Sequence, residues 1–168
     1  QCGDARGHRR DYDDWAREGN AEFVTLALEK TKPTADDLSA ALAEAQLGKH
    51  DKVAQQLTLA GAKPPKPADF AVDAATLAGY AGVYRTEGGN GSELRFEIRE
   101  GKLVCVNCSP QGMVLGAEDA VTYREPARPR PRLVFSIRDG KPSGFVIDFG
   151  NRQVSYRRAE AEAPKEKP

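Results

Sequence analysis

The spacing of apolar residues changes midway along the chain. Before residue 62 they recur every three or four positions, as in Leu38, Leu42 and Ala45, which places them on one face of a helix. Beyond residue 80 they alternate with polar residues, as in strands with one buried face. The prolines between 63 and 75 disfavour helix and favour a stiff spacer. The pattern predicts an α+β protein with two domains: helical repeats in 1–62, a Pro-rich linker in 63–75, a β domain in 76–158 and a disordered tail in 159–168.

Four helices are predicted before the linker, at residues 11–17, 21–29, 35–47 and 51–59. Thr34 is a candidate N-cap for the third helix, and Asp36 and Asp37 fall in its first turn, where the helix dipole favours anions. Gly48 is a candidate left-handed residue at its C-terminal end. The order of these helices predicts two helical hairpins in tandem.

The two predicted hairpins have similar sequences. A shift of 29 residues aligns residues of the same type in the two copies: Ala16 with Ala45, Gly19 with Gly48, Glu22 with Asp51, Val24 with Val53 and Leu28 with Leu57. The segment of about 4–65 resembles ankyrin repeats, although it lacks their Thr-Pro-Leu-His opening. The resemblance implies a stacked helical array that binds a protein partner. Because about three repeats are needed to bury such a core, further repeats are expected before Gln1, with the last repeat here as a cap.

Short alternating segments after the linker predict about eight strands, joined at turn dipeptides such as Glu100-Gly101, Asp139-Gly140 and Gly150-Asn151. An antiparallel meander of this length with one buried face closes most simply into a small barrel, and a strongly curled open sheet is the alternative. Six aromatic residues are candidates to line the barrel interior, where they either fill it or surround a small apolar ligand: Tyr80, Tyr84, Phe96, Phe135, Phe149 and Tyr156.

The β region also resembles a known family. The segments 77–85, 93–103 and 133–145, with Tyr80 and Tyr84 in the first, are similar to the lipocalin-like β domain appended C-terminally to bacterial serine hydrolases of the β-lactamase and penicillin-binding type. The resemblance covers about 74–158. It implies an accessory domain without chemistry of its own, and it favours a bacterial periplasmic or cell-envelope location that the residues themselves do not establish.

Charge and hydropathy exclude some classes of partner. Lys and Arg number 25 and Asp and Glu number 25, so the formal net charge is +0. A surplus of cations, which non-specific nucleic-acid binding requires, is therefore absent and no nucleic-acid partner is expected. No apolar run approaches the roughly 20 residues that span a bilayer, so no integral membrane segment is expected.

The residues needed for catalysis do not form a recognisable set. The Ser-x-x-Lys motif of the resembled hydrolases is absent, and so are Gly-x-Ser-x-Gly and His-Glu-x-x-His. His8 lies among arginines, and His50 is expected at a turn between helices. The sequence therefore predicts no catalytic, cofactor-binding or metal-binding residue, and a protein that is not an enzyme.

The cysteines leave their redox state open. Cys105 and Cys108 form a Cys-x-x-Cys spacing, but residues three apart on a strand point to opposite faces. We therefore expect one buried cysteine and one in a turn, with a disulfide or an adventitious metal as alternatives. Cys2 has no assigned role.

Proline and arginine alternate in the segment 126–132. Such a segment can adopt polyproline II and bind an aromatic groove or an acidic surface. The simpler interpretation, which we favour, is a basic loop between strands with no partner.

These observations give one leading hypothesis and two alternatives. The leading hypothesis is a non-catalytic protein-binding or scaffolding protein that uses ankyrin-like repeats and has an accessory lipocalin-like domain. The first alternative is a carrier or regulatory domain that holds a small apolar ligand inside the barrel. The second is the accessory C-terminal region of a hydrolase whose catalytic part is absent from this chain. The partner, the ligand and the oligomeric state are not determined.

Overall fold

The structure is a computed structural model and describes residues 12–87 and 91–159. Over these residues the chain forms helices at α1 Tyr12–Arg17, α2 Ala21–Lys30, α3 Ala35–Leu47, α4 Asp51–Leu59 and α5 Ala74–Tyr80. The strands that follow are β1 Gly82–Thr86, β2 Glu93–Arg99, β3 Lys102–Cys105, β4 Met113–Ala117, β5 Thr122–Arg124, β6 Arg132–Arg138, β7 Lys141–Asp148 and β8 Gln153–Arg158. The predictions for Cys2, His8 and the tail from residue 160 lie outside the described residues.

The strands form a closed antiparallel barrel. Each strand pairs with its neighbour along the chain, and β8 pairs with β1 to complete the closure. The predicted turns at Glu100-Gly101 and Asp139-Gly140 are confirmed, because each joins two strands through two residues of positive φ, as tight hairpins require. The barrel rather than the open sheet is therefore the correct alternative.

Aromatic rings fill the centre of the barrel. Phe96, Phe135 and Phe145 contact one another and Tyr84 with ring centroids 5.1–5.9 Å apart, mostly edge to face. Such pairs each contribute about 0.5–1.5 kcal/mol beyond the burial of their surface. The interior is thus a packed core, and its apolar cluster does not include residues of α1 to α4.

Helix α5 covers one end of the barrel and was not predicted. It begins after Asp73, whose side chain accepts hydrogen bonds from the backbone N–H and hydroxyl of Thr76 at 2.9 and 2.6 Å. Leu77 and Tyr80 project from the helix into the barrel core, and the Tyr80 hydroxyl donates to the Ala120 carbonyl at 2.7 Å. The expectation that period-two structure begins at residue 76 is therefore wrong. The Asp-x-x-Thr cap was the local signal for this helix.

The first four helices have a separate apolar cluster. Helix α1 packs on α3 and α2 packs on α4, and between them they bury small and aliphatic side chains such as Ala16, Val24, Leu42 and Leu57. The bounds of α3 and α4 are as predicted. Thr34 is confirmed as the N-cap of α3.

The turns of the two hairpins correspond at a spacing of 30 residues rather than 29. The backbone N–H of Asn20 bonds to the carbonyl of Trp15, and His50 bonds in the same way to Ala45. The left-handed residue of the second turn is consequently Lys49, with φ 57°, whereas Gly48 has φ −76°. The prediction of a left-handed Gly48 is wrong.

A side chain at position 48 would nevertheless displace the imidazole of His50, which lies against Gly48. A Cβ built on Gly48 would be 2.5 Å from Cδ2 of the ring. A Cβ on Gly19, in the first turn, would be 2.5 Å from Nδ1 of the same ring. The ring Nε2 is also within hydrogen-bonding distance, 2.9 Å, of the Arg17 carbonyl. His50 therefore joins the two turns, which confirms its predicted place in a turn.

We expect Gly48→Ala to destabilise the protein by about 1–3 kcal/mol, because the new methyl group displaces a packed ring while the backbone angle remains ordinary. Gly79→Ala is the matched control, since its Cβ would meet only Pro142 at 3.8 Å. The control should be neutral or gain up to about 1 kcal/mol from helix propensity. Urea unfolding of both variants measures the difference, and equal free energies of unfolding would contradict the role of His50.

Candidate functional site

The six predicted lining residues divide into two groups. The following five belong to the buried barrel core: Tyr80, Tyr84, Phe96, Phe135 and Tyr156. Phe149 lies beyond the end of β7, is half-buried, and has the Arg152 guanidinium 4.3 Å from its ring centroid. Sequence analysis did not select Tyr123 and Phe145, which occupy the same core.

Two of the buried tyrosines, Tyr80 and Tyr84, act as structural hydrogen-bond donors. The Tyr84 hydroxyl donates to the Tyr80 carbonyl at 3.0 Å. Burial raises the pKa of Tyr84 to about 12, so its hydroxyl remains protonated at neutral pH. These side chains therefore stabilise the barrel rather than provide an acid or base.

Cys105 and Cys108 form a disulfide. Cys105 is buried at the end of β3 and Cys108 follows in the turn, as expected. The chain turns back there, so that the two Cα atoms are 5.5 Å apart and the disulfide given as an alternative forms. Among the residues that the structure describes, no group of His, Cys, Asp and Glu could hold a metal ion.

The Pro-Arg segment binds the acidic start of helix α3. Nη1 and Nη2 of Arg132 donate to the two carboxylate oxygens of Asp36 at 2.9 and 2.8 Å. Nη2 of Arg130 donates to Asp36 at 2.7 Å and to Asp37 at 2.8 Å. The segment lies in the loop between β5 and β6, as predicted, and the acidic surface that its arginines bind belongs to the same chain. We call these four residues the arginine clamp.

The arginine clamp changes the titration of its carboxylates. The hydrogen bonds from Arg132, assisted by those from Arg130, hold the pKa of Asp36 well below its ordinary value. Burial opposes a lowered pKa at Asp37, but the hydrogen bonds from Thr34 and Arg130 outweigh it. Both carboxylates are thus held in the charged form that the arginines require.

Arg124 extends the network into the barrel wall. Its side chain is 0% exposed, and its Nε donates to Glu118, which also accepts from Nε of Arg132 at 3.0 Å. The remaining guanidinium hydrogens bond to backbone carbonyls of the loop after β5 and to that of Lys66 in the linker. One guanidinium therefore holds the linker, the loop and Glu118 together.

A second ion pair supports the same contact. Glu44 on α3 is 4% exposed, with Nε of Arg17 at 2.7 Å and Nε of Arg128 at 3.4 Å from its carboxylate oxygens. Arg17 comes from α1 and Arg128 from the loop after β5. Arg128 and Glu44 therefore join the barrel to the helices through an ion pair whose carboxylate is buried, although the guanidinium of Arg128 is 39% exposed.

Helices α1 and α2 also carry an aromatic surface. Trp15 and Phe23 stack with ring centroids 6.0 Å apart, and Phe23 and Leu26 are each 47% exposed. Thr25 faces α4, because its hydroxyl accepts a hydrogen bond from Gln56 at 2.9 Å. Two residues correspond to about 200° around a helix, so Phe23 points away from α4. We call Trp15, Phe23 and Leu26 the α1–α2 surface.

No protein-family model, curated protein or solved structure matches this chain. The ankyrin-like repeats, the lipocalin-like family and the relation to hydrolases therefore stay predictions, while the helices and the antiparallel barrel are established. Of the helices in the described part of the chain, none is long and apolar enough to cross a membrane.

Arg124→Lys should destabilise the protein by about 3 kcal/mol, because lysine has three donors and cannot reach all the acceptors that surround this buried site. The control is Arg95→Lys on the outer face, where Arg95 is 55% exposed and 3.5 Å from Glu93. There the change should stay within about 0.5 kcal/mol. Guanidinium unfolding measures both variants, and a loss as small as the control would contradict the role of Arg124.

Asp36→Asn should weaken the arginine clamp in a pH-dependent manner. The pKa of Asp36 is lower in the folded protein than in the unfolded chain. The stabilisation is therefore complete above the unfolded pKa of about 4, and is lost as pH falls toward the folded pKa. Asp36 is 43% exposed, so solvent screening limits the effect at pH 7 to about 1 kcal/mol.

Urea midpoints at pH 6 and pH 2.5 test this dependence. The difference in the free energy of unfolding between the wild type and Asp36→Asn should be about 1 kcal/mol at pH 6 and smaller at pH 2.5. Glu97→Gln is the control, because Glu97 is 48% exposed and pairs with Arg99 on the outer face at 3.0 Å. A difference that is the same at both pH values would show that Asp36 does not stabilise through its charge.

Proposed function

We propose that the protein is a non-catalytic protein-binding or scaffolding protein whose partner binds the α1–α2 surface. The observation that supports this most directly is the exposure of Phe23 and Leu26 on helices that are otherwise well packed, with Phe23 stacked on partly buried Trp15. Large aromatic side chains at a surface are typical of the residues that dominate binding energy in protein interfaces. The absence of an enzymatic activity remains part of this proposal.

We further propose that the partner supplies a pair of helices that stacks on α1 and α2 as α3 and α4 do on the opposite side. Helix α1 packs on α3 and α2 on α4, so a further pair would continue an interface that already exists in the fold. An ankyrin-like array grows by this type of stacking. The rings of Trp15 and Phe23 would then be buried between neighbouring helices.

The barrel in this proposal is a rigid accessory domain. The arginine clamp and Arg124 hold the helices and the linker against it, so the α1–α2 surface has a defined orientation relative to the barrel. Because disulfides persist in oxidising compartments, Cys105–Cys108 supports the expected location at the bacterial envelope.

The alternative hypotheses have less support. A carrier that holds its ligand in the barrel interior needs space that the aromatic rings already occupy. The accessory region of a hydrolase rests on the family resemblance alone.

Photo-crosslinking tests the proposal. A photoreactive phenylalanine analogue replaces Phe23 in one variant and Leu59 in another, because Leu59 is 83% exposed but lies at the C-terminal end of α4. We expect position 23 to crosslink a partner that position 59 does not. The partner is then identified, purified and titrated against the full chain, with hydrogen exchange to locate the contact.

The matched variants for this titration are Phe23→Ser and Leu59→Ser. We expect Phe23→Ser to weaken binding by about 10-fold or more, and Leu59→Ser to leave it unchanged. Amides of α1 and α2 should exchange more slowly in the complex. Unaltered binding by Phe23→Ser would contradict the proposal, and a second copy of the chain as the only crosslinked protein would replace it with self-association.

A further inference from the structure

The linker between α4 and α5 contains three prolines within five residues, in the order Lys63-Pro64-Pro65-Lys66-Pro67. Each proline fixes its own φ at about −65°, and the residue before each proline is restricted to extended values of ψ. Within the described ranges the only cis peptide bond precedes Pro131, so the bonds before these three prolines are trans. Together these constraints give polyproline II over residues 63–67.

Side-chain exposure along the linker repeats every three residues, which is the period of polyproline II. Pro65 and Ala68 are half-buried, whereas the two residues before each of them are exposed. One edge of the segment therefore faces the barrel, and the other two edges face solvent. The solvent edges are a proline edge and a lysine edge: Pro64 with Pro67, and Lys63 with Lys66.

The fold holds this segment against the barrel. The carbonyl of Lys66 accepts a hydrogen bond from Nη2 of buried Arg124, and the backbone N–H of Phe70 donates to a carbonyl of β4 at 2.9 Å. Ala68 lies directly on β4, where a Cβ built on Gly116 would overlap its carbonyl oxygen. The conformation is thus set before any partner binds, so binding does not require the segment to be ordered.

We propose that the linker is a docking site for a protein domain with an aromatic-lined groove that binds the proline edge and with carboxylates beside the groove that pair with the lysine edge. Pro64 and Pro67 have the Pro-x-x-Pro spacing that such grooves recognise. The segment 63–68 contains two lysines and no acidic residue, so its charge favours carboxylates in the partner.

The proline edge favours a groove over a flat acidic surface. Proline rings in polyproline II are apolar ridges that pack against aromatic side chains. A flat acidic surface would bind the lysines alone and would be insensitive to Pro64 and Pro67. A groove can contact two edges of a three-edged segment, and the third edge here is the one that lies on the barrel.

This docking site is separate from the α1–α2 surface. It uses residues 63–68 of the linker, whereas the α1–α2 surface uses Trp15, Phe23 and Leu26. Phe23→Ser, which tests the proposed function, should leave docking at the linker unchanged. Failure of one proposal therefore leaves the other intact.

The first test needs no partner. Backbone chemical shifts and residual dipolar couplings of the full chain report φ and ψ in the linker. We expect residues 63–67 to have φ of about −75° and ψ of about +145° without a ligand. Averaging over several backbone conformations would overturn the proposal, because the docking site would not be preformed.

The second test titrates the full chain with a panel of WW domains, which bind polyproline II in aromatic grooves. The panel includes members with carboxylates beside the groove and the same domains with those carboxylates changed to amides. We expect saturable binding that is tighter for the acidic members and that weakens as salt is added. Absence of saturable binding by every member, or equally tight binding of a polyglutamate peptide, would overturn the proposal.

Single proline changes test which edge the partner contacts. Pro64→Ala and Pro67→Ala each remove a ring from the proline edge, and we expect each to weaken binding by about 30-fold. Pro65→Ala is the matched control, because it removes one proline from the same segment at the edge that faces the barrel. It should weaken binding only by about 2- to 5-fold, through lost stiffness.

Exchange of the Phe70 amide should stay slow in all three variants, which shows that the linker remains on β4. Equal effects of the three changes on binding would overturn the role of the proline edge.

Lys66→Gln tests the lysine edge. We expect it to weaken binding of the acidic domains by about 2- to 5-fold at low salt, because it removes an exposed ion pair with the partner. Lys52→Gln is the matched control, since Lys52 is equally an exposed lysine but lies on α4. Equal binding by the two variants would overturn the assignment of an acidic partner.

Discussion

The pairing of Arg130 and Arg132 with Asp36 is the interaction on which the arrangement of the whole molecule depends. The apolar clusters of helices and barrel are separate, so the hydrophobic effect stabilises each part but does not by itself orient one against the other. Charge-assisted hydrogen bonds provide that orientation. The bidentate contact of Arg132 with Asp36 restricts the angle at which the barrel meets the helices. Glu118, which also bonds to Arg132, accepts a hydrogen bond from buried Arg124. Arg124 in turn donates to the carbonyl of Lys66, so the linker belongs to the same network.

The separation of the two apolar clusters bears on the proposed binding surface. Aromatic rings close the barrel interior, so we propose that recognition uses the outside of the molecule, at α1 and α2. These helices are packed on α3 and α4, and the linker that follows is hydrogen-bonded to β4 at Ala117.

Sequence reasoning succeeded where the determining contacts are local. The bounds of α3 follow from its periodicity and from Thr34, whose backbone N–H and hydroxyl exchange hydrogen bonds with Asp37 three residues away. The hairpins at Glu100-Gly101 and Asp139-Gly140 follow from residues that tolerate positive φ. Helix α5 was missed because its seven residues span about two turns, too few to show a helical period, so the cap at Asp73 is its main local signal.

The sequence alone determined the order of the first four helices and of the strands, because spacing within a few residues decides which face of each element is apolar. The pairing of β8 with β1, which closes the barrel, is a property of the tertiary structure. Only the tertiary structure decided that Arg130 meets Asp36, 94 residues away, and that Cys105 pairs with Cys108. These outcomes depend on how the elements are placed against one another. Residue type and local spacing do not encode which of 25 acidic side chains a given arginine will reach.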